Sequence, residues 1–165
     1  ALPIYKTNLI YNPFGELIYN AQPTVQNFNF PLAGLYNELL FLSNIINNNG
    51  NFNIIKFDKP ANGRLRYLDT TTSTQYMQIN ACMSCSANIN CQLQFNIVNS
   101  LGAVMTNDIY VDITANQYQT INIIQYIQVV PNLYYSIYGK SNQNATTFLL
   151  RDCHLSLQMM TAQLI

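Results

Sequence analysis

Apolar and polar residues alternate with period two along most of this chain. That period marks strands with one buried face. In Gln75 to Ser84, Tyr76, Gln78, Asn80, Cys82 and Ser84 fall on one face, and Met77, Ile79, Ala81, Met83 and Cys85 on the other. Cys91 to Val98 repeats the pattern, with Leu93, Phe95 and Ile97 inward and Gln92, Gln94 and Asn96 outward. Further strands are expected at Asn53 to Phe57, Arg64 to Leu68, Asp108 to Ile113, Tyr118 to Val130, Leu133 to Tyr138 and Thr147 to Met160. Turn signals separate them: Lys59-Pro60-Ala61-Asn62-Gly63, Asn99-Ser100-Leu101-Gly102, Pro131-Asn132 and the polar run Gly139 to Asn144. Aromatic and β-branched side chains dominate the runs, which suits a pleated surface. Many short strands with turns between them argue for a sandwich or barrel. The expected core holds Met77, Ile79, Leu93, Phe95, Ile97, Ile137, Leu155 and Leu157.

The first 50 residues read differently. Tyr5 to Tyr11 and Glu16 to Tyr19 flank Asn12-Pro13-Phe14-Gly15, so a hairpin fits there. Residues 20 to 31 hold Pro23 and Pro31 among polar and aromatic residues and read as an extended arm. Leu32 to Ile46 is the one helical candidate, because Leu35, Leu39, Leu42 and Ile46 recur at helical spacing. It has a single charge and no strong cap. The chain therefore divides into an arm over 1–50, with a hairpin and a short helix, and a β-sandwich over 51–165. Such an arm either lies along a neighbouring subunit, burying Phe14, Phe28 and Phe30, or pads its own sandwich.

Charge changes the picture. Only 8% of residues are charged, and seven basic residues balance seven acidic ones. An average soluble domain carries about 25%. Asn, Gln, Ser and Thr take the place of charge, and Asn alone is roughly one residue in seven, about three times ordinary usage. A neutral hydrogen-bonding surface suits burial in a permanent interface, and an AT-rich genome would also favour Asn, Ile, Tyr and Phe. Zero net charge removes the repulsion that keeps domains apart, so the isolated chain is not expected to be a stable monomer. Scattered Lys and Arg leave no electrostatic footprint for nucleic acid. Arg64 and Arg66 form the one close arginine pair and mark an exposed strand face. No apolar run reaches the roughly 18 residues that span a bilayer. Ala1-Leu2-Pro3 lacks the basic start and apolar stretch of a signal peptide, which fits a removed signal, a removed initiator Met or a chain that never entered a secretory route. The last two are simpler, and cytoplasmic assembly is the expectation.

Candidate chemistry is thin. Cys82-x-x-Cys85 is half of a zinc knuckle without its companion. A three-residue step on a strand also puts the two thiols on opposite faces. Reduced, partly buried cysteines at 82, 85, 91 and 153 are the leading reading, with one disulfide or a metal as alternatives. Cys153 and His154 are strand neighbours, point to opposite faces and cannot share a proton. Asp108 and Asp112 share a face on a short strand and read as solvated edge residues. Asn144-Ala145-Thr146 is a glycosylation sequon in a polar loop. No catalytic, cofactor or metal residues are assigned, and no enzyme activity is expected.

From about Phe52 to Met160 the strand order resembles the jelly-roll domains of viral and phage structural proteins and the related TNF/C1q-like heads. Three pieces carry the resemblance: Gln75 to Ala81, Cys91 to Asn99 with Gly102, and Val129 to Tyr138. The last departs from the pattern, since Pro131-Asn132 stands where those families commonly have Gly-Asp. His154 to Met160 fits the alternating closing strand. The resemblance implies an all-β single jelly roll acting as a minor capsid, vertex, cement or fibre-head subunit in a virion. Its partners would be its own copies, as a trimer or pentamer, or other capsid proteins. Tyr11, Phe14, Phe28, Phe30, Tyr134 and Tyr138 are the interface candidates. The alternative is a C1q- or lectin-like head that binds a host receptor or glycan.

Overall fold

The inward row Met77, Ile79, Ala81, Met83 and Cys85 is fully covered, while its outward neighbours keep surface. A strand of this kind needs a second sheet over one face only. The computed structural model describes residues 10–11, 14–20, 25–47, 56–70, 73–159 and 163–164. Among them lie fourteen strands and no helix. They are β1 (Ile10–Tyr11), β2 (Phe14–Asn20), β3 (Gln26–Phe30), β4 (Asn37–Glu38), β5 (Asn44–Asn47), β6 (Phe57–Ala61) and β7 (Arg64–Tyr67). Then follow β8 (Gln75–Ala87), β9 (Cys91–Asn99), β10 (Ile109–Ile113), β11 (Gln119–Val129), β12 (Tyr134–Ser141), β13 (Thr146–Met159) and β14 (Gln163–Leu164).

One sheet runs β11-β8-β13-β2-β5, and the other runs β10-β9-β12-β7-β6. Every pairing is antiparallel. From β7 onward the chain crosses between sheets at nearly every step, with β9 to β10 the one hairpin within a sheet. Strands adjacent in sequence are thus mostly not adjacent in a sheet, which is the winding of a jelly roll. All eight residues expected in the core are fully buried.

Aromatic rings fill the space between the sheets. Phe148 of β13 stacks on Phe30 of β3 at 5.3 Å and tilts against Phe95 of β9 at 5.5 Å. Gly139 of β12 makes room, since a Cβ there would lie 2.9 Å from the Phe95 ring and 3.2 Å from Phe30. Tyr135 is also fully buried, and its hydroxyl accepts a hydrogen bond from the Val130 N–H. That bond satisfies the one polar atom of an otherwise apolar side chain.

The described strands β2 to β5 belong to this sandwich. β3 pairs with the first half of β13 and β2 with the second half, and β13 shifts register between Leu150 and Asp152 where the two meet. After β3 the chain crosses to the other sheet, where β4 pairs with β12. No helix forms over 32–46. Leu39, Phe41 and Ser43 are buried while Leu40 and Leu42 are exposed, so the local period is two rather than 3.6. Capture of Leu39 and Phe41 by the core outweighs a helical repeat that has no cap. The expected hairpin around residue 13 is also absent among the described residues, because β1 pairs with β14. Of the strand expected at 53–57, residues 53–55 lie outside the described residues, and Phe57 opens β6. β6 carries Pro60 at the edge of its sheet, where a missing N–H breaks no ladder.

A bidentate ion pair locks the crossing segment. Arg64 Nε and Nη2 each lie 2.8 Å from a Glu38 carboxylate oxygen, and the Ser136 hydroxyl donates to the same carboxylate. Arg66 grips Asp58 in the same way. The Arg64 guanidinium, aided by Ser136, holds the Glu38 carboxyl below its usual range.

Two predictions follow from the packing. Phe148→Ala removes the ring shared by β3, β9 and β13 and should cost about 3–5 kcal/mol in urea unfolding. A shift below about 1 kcal/mol would mean that the rings do not pack as described. Glu38 is depressed in the folded state relative to about 4.3 unfolded. Its contribution is therefore complete above that pH and is lost as pH falls through the folded value. The wild type should lose stability between about pH 5 and pH 3 more steeply than Glu38→Gln, and parallel curves would contradict the assignment.

Candidate functional site

The outward side chains of β11, β8, β13 and β2 form a regular grid, because residues paired across strands share a face. One row is Tyr126, Gln78, Gln158 and Phe14, and the next is Ile124, Asn80, Ser156 and Glu16. A third is Asn122, Cys82, His154 and Ile18, and a fourth is Thr120, Ser84, Asp152 and Asn20. Gln128 and Tyr76 extend the grid at one end.

The two ends of this face differ. At the Tyr76 end, Tyr76, Gln78, Asn80, Ile124, Tyr126, Gln128, Ser156 and Gln158 of β8, β11 and β13 include no charge, and Phe14 and Glu16 of β2 close the same rows. Three of them are large and open: Tyr76 is 64% exposed, Tyr126 61% and Ile124 56%. The Gln128 amide donates to the Tyr76 hydroxyl at 2.6 Å and fixes that ring. Asn80 Oδ1 is enclosed on the same patch with no hydrogen-bond donor. Asn96 Oδ1 on the other sheet is enclosed in the same way, so this feature does not distinguish the patch.

The other end is a hollow of about 360 Å³ lined by Ile18, Asn20, Cys82, Thr120, Asp152 and His154. His154 Nε2 contacts the Glu16 carboxylate. Cys82 is half-buried, whereas Cys85, Cys91 and Cys153 are buried. All four are free thiols. Burial pushes the Cys85 thiol up to about 12 and the Cys153 thiol well above its usual value. The strand geometry separates Cys82 from Cys85, and Cys153 from His154, onto opposite faces as expected. The register, however, sets His154 directly opposite Cys82. Sequence spacing could not show that pairing, because it joins residues from distant parts of the chain. Among the described residues no three metal-binding side chains converge.

Of the interface candidates, Phe14 borders the outer face and the others whose side chains are described fall elsewhere. Phe30 is wholly inside the chain's own core, and Phe28 packs against Phe148 at 5.9 Å. Tyr134 lies under the Arg64 guanidinium at 4.4 Å. Tyr138 is half-buried opposite Glu38 and Asn96. Phe14 is half-buried at the edge of the outer grid. The Tyr11 side chain lies outside the described residues. Tyr76 and Tyr126 escaped sequence reasoning because each sits singly in its own strand, and only the register joins them.

On the opposite sheet Asp108 is a fastening point. It accepts hydrogen bonds from the Tyr36 hydroxyl at 3.0 Å, the Gln94 amide at 2.6 Å and the Asn96 amide at 2.9 Å. Burial and this carboxylate push the Tyr36 hydroxyl up. Asp112 is held separately by Gln92 at 3.1 Å. The two carboxylates serve different neighbours and do not form a paired acid–base site. The sequon residues close a turn, where Asn144 Oδ1 accepts from the Ala33 N–H and the Thr146 hydroxyl is buried against Ser141.

No family model and no curated protein matches this chain. Its architecture is shared with solved structures. It is similar to murine APRIL, a TNF-family ligand, with a TM-score of 0.57 at 4% identity over 90% of this chain and 99% of that one. The PRD1 vertex protein aligns with a TM-score of 0.47 at 13% identity, over 90% of this chain and 97% of that one. A tailspike domain of bacteriophage CBA120 reaches 0.33 at 11% identity, covering 93% of this chain and 19% of that one. The first of these establishes a shared jelly-roll sandwich, and at such low identity it establishes the fold alone.

Proposed function

We propose that this chain is a structural subunit of a virus particle that acts by assembling with copies of itself, without catalysis. The uncharged, aromatic end of the outer face on β11, β8 and β13 carries the reading, with Phe14 and Glu16 of β2 at its border. A surface of Tyr, Ile, Gln, Asn and Ser can be buried without desolvating ions, whose cost reaches several kcal/mol each. Tyr supplies contact area together with a hydrogen-bonding tip. The whole face, charged end included, spans four strands about 4.8 Å apart and about nine residues long, roughly 600 Å², of which the uncharged end is about half. Two whole faces in contact would bury roughly 1,200 Å², the lower end of specific interfaces. The jelly-roll fold and the viral pattern of its strands support placement in a virion assembled in the host cytoplasm, as a shell, vertex or fibre-head subunit. A threefold or fivefold ring of such subunits is the arrangement proposed.

A receptor- or glycan-binding head is the second reading. A hollow of about 460 Å³ favours it, lined by Asn20, Ser43, Asn44, Lys59 and Asn62. Lys59 Nζ donates to Ser43 O at 2.6 Å and to Asn62 Oδ1 at 3.1 Å, so the Asn62 amide is held in place at the wall of the hollow.

Sedimentation separates the two. The wild type at micromolar concentration should run as an oligomer, with little change from low to high salt, because few ion pairs would hold it. Tyr126→Lys and Ile124→Lys should release folded monomers near 18.8 kDa. A clean wild-type monomer would count against assembly and favour the binding head.

A further inference from the structure

The hollow at the far end of the outer face holds a nucleophile and a base with no role in the assembly reading. We propose that Cys82 is a reactive thiol, with His154 as its proton acceptor and Glu16 as the residue that positions His154. The ligand class is a small α,β-unsaturated carbonyl compound bound in the hollow.

The register makes the pair. His154 lies opposite Cys82 on adjacent antiparallel strands, and directly opposed side chains have Cβ atoms about 4.5–5.5 Å apart. Both face outward into the hollow. Glu16 engages His154 through Nε2, which leaves Nδ1 as the nitrogen free to take a proton. A carboxylate on one imidazole nitrogen fixes the tautomer and stabilises the imidazolium that forms when the other takes a proton. No hydrogen bond joins Cys82 to His154 in the structure, and the pair reaches the geometry by which a base activates a thiol when the Cys82 side chain turns toward Nδ1.

Other charged groups near the hollow are few. Asp152 stands on its wall, and Arg151 is engaged with the Tyr118 ring at 3.8 Å. β11 contributes only neutral Thr120 and Asn122 opposite Ser84 and Cys82. Exposure sets Cys82 apart from the other three cysteines, which are buried.

The step is an addition and balances without a co-reactant. The Cys82 proton passes to His154 Nδ1, and the sulfur forms a bond to the β-carbon of the ligand. The carbon–carbon π pair moves toward the carbonyl, and His154 returns the proton to the α-carbon. One thioether forms per chain, and nothing is oxidised or released.

N-ethylmaleimide is the probe, applied to the full-length chain at pH 7 with adducts mapped by mass spectrometry. Cys82 should take up one adduct while Cys85, Cys91 and Cys153 stay unmodified until denaturant is added. Native Cys82 should react faster than Cys82 in the denatured chain. His154→Ala should slow it about 10–100-fold, the lower range for a positioned general base, and free imidazole should restore part of the rate. Glu16→Gln should slow it less, with partial recovery in imidazole. A native rate no higher than the denatured rate overturns the proposal. So does an unchanged rate in a folded His154→Ala chain. If that variant fails to fold, the native-to-denatured comparison decides.

Discussion

The contact on which the rest of the structure depends is the ring cluster of Phe30, Phe95 and Phe148. Phe148 comes from one sheet, Phe95 from the other, and Phe30 from a strand laid along the first half of β13. Those three side chains therefore fix the distance between the sheets and bind β3 to both. Gly139 is the concession that permits it, since any side chain there would strike Phe95. The ion pair of Glu38 and Arg64 then holds the segment where it has crossed to the second sheet. Dispersion and burial set the architecture, and this pair finishes it with a specific contact at the surface.

That economy explains how so little charge suffices. The ionic groups whose partners are seen are spent on local fastening: Arg64 on Glu38, Arg66 on Asp58, and Lys59 on the Ser43 carbonyl. Asp108 gathers Tyr36, Gln94 and Asn96. At the Tyr76 end the outer face of β11, β8 and β13 carries none of these charges. A free surface gains solubility from charge, whereas a surface that is to be covered is penalised for it. The distribution fits the second case.

The fold was legible because its signal is local. Strands such as Gln75–Ala87 and Cys91–Asn99 alternate cleanly enough that both faces could be assigned from the sequence. The segment over 32–46 misled because Leu35, Leu39, Leu42 and Ile46 match a helical repeat while Leu39, Phe41 and Ser43 also match a strand. Tertiary capture of Phe41 in the core decided between them. The candidate site was not legible, because it is made by register. Cys82 and His154, or Tyr76 and Gln128, become neighbours only when β8, β11 and β13 are aligned. Phe30 misled for the complementary reason: an aromatic residue in an arm-like stretch reads the same whether it packs on a neighbour or on its own core.

The central claim is that one end of this sheet face is covered in the working state of the protein. Hydroxyl-radical footprinting across a dilution series tests it directly. Tyr110 is 57% exposed on the opposite sheet and serves as the internal reference. As concentration rises, labelling of Tyr76, Ile124 and Tyr126 should fall together while Tyr110 stays constant. Loss of labelling at Tyr110 alone, or constant labelling at all four while the chain oligomerises, would contradict the account.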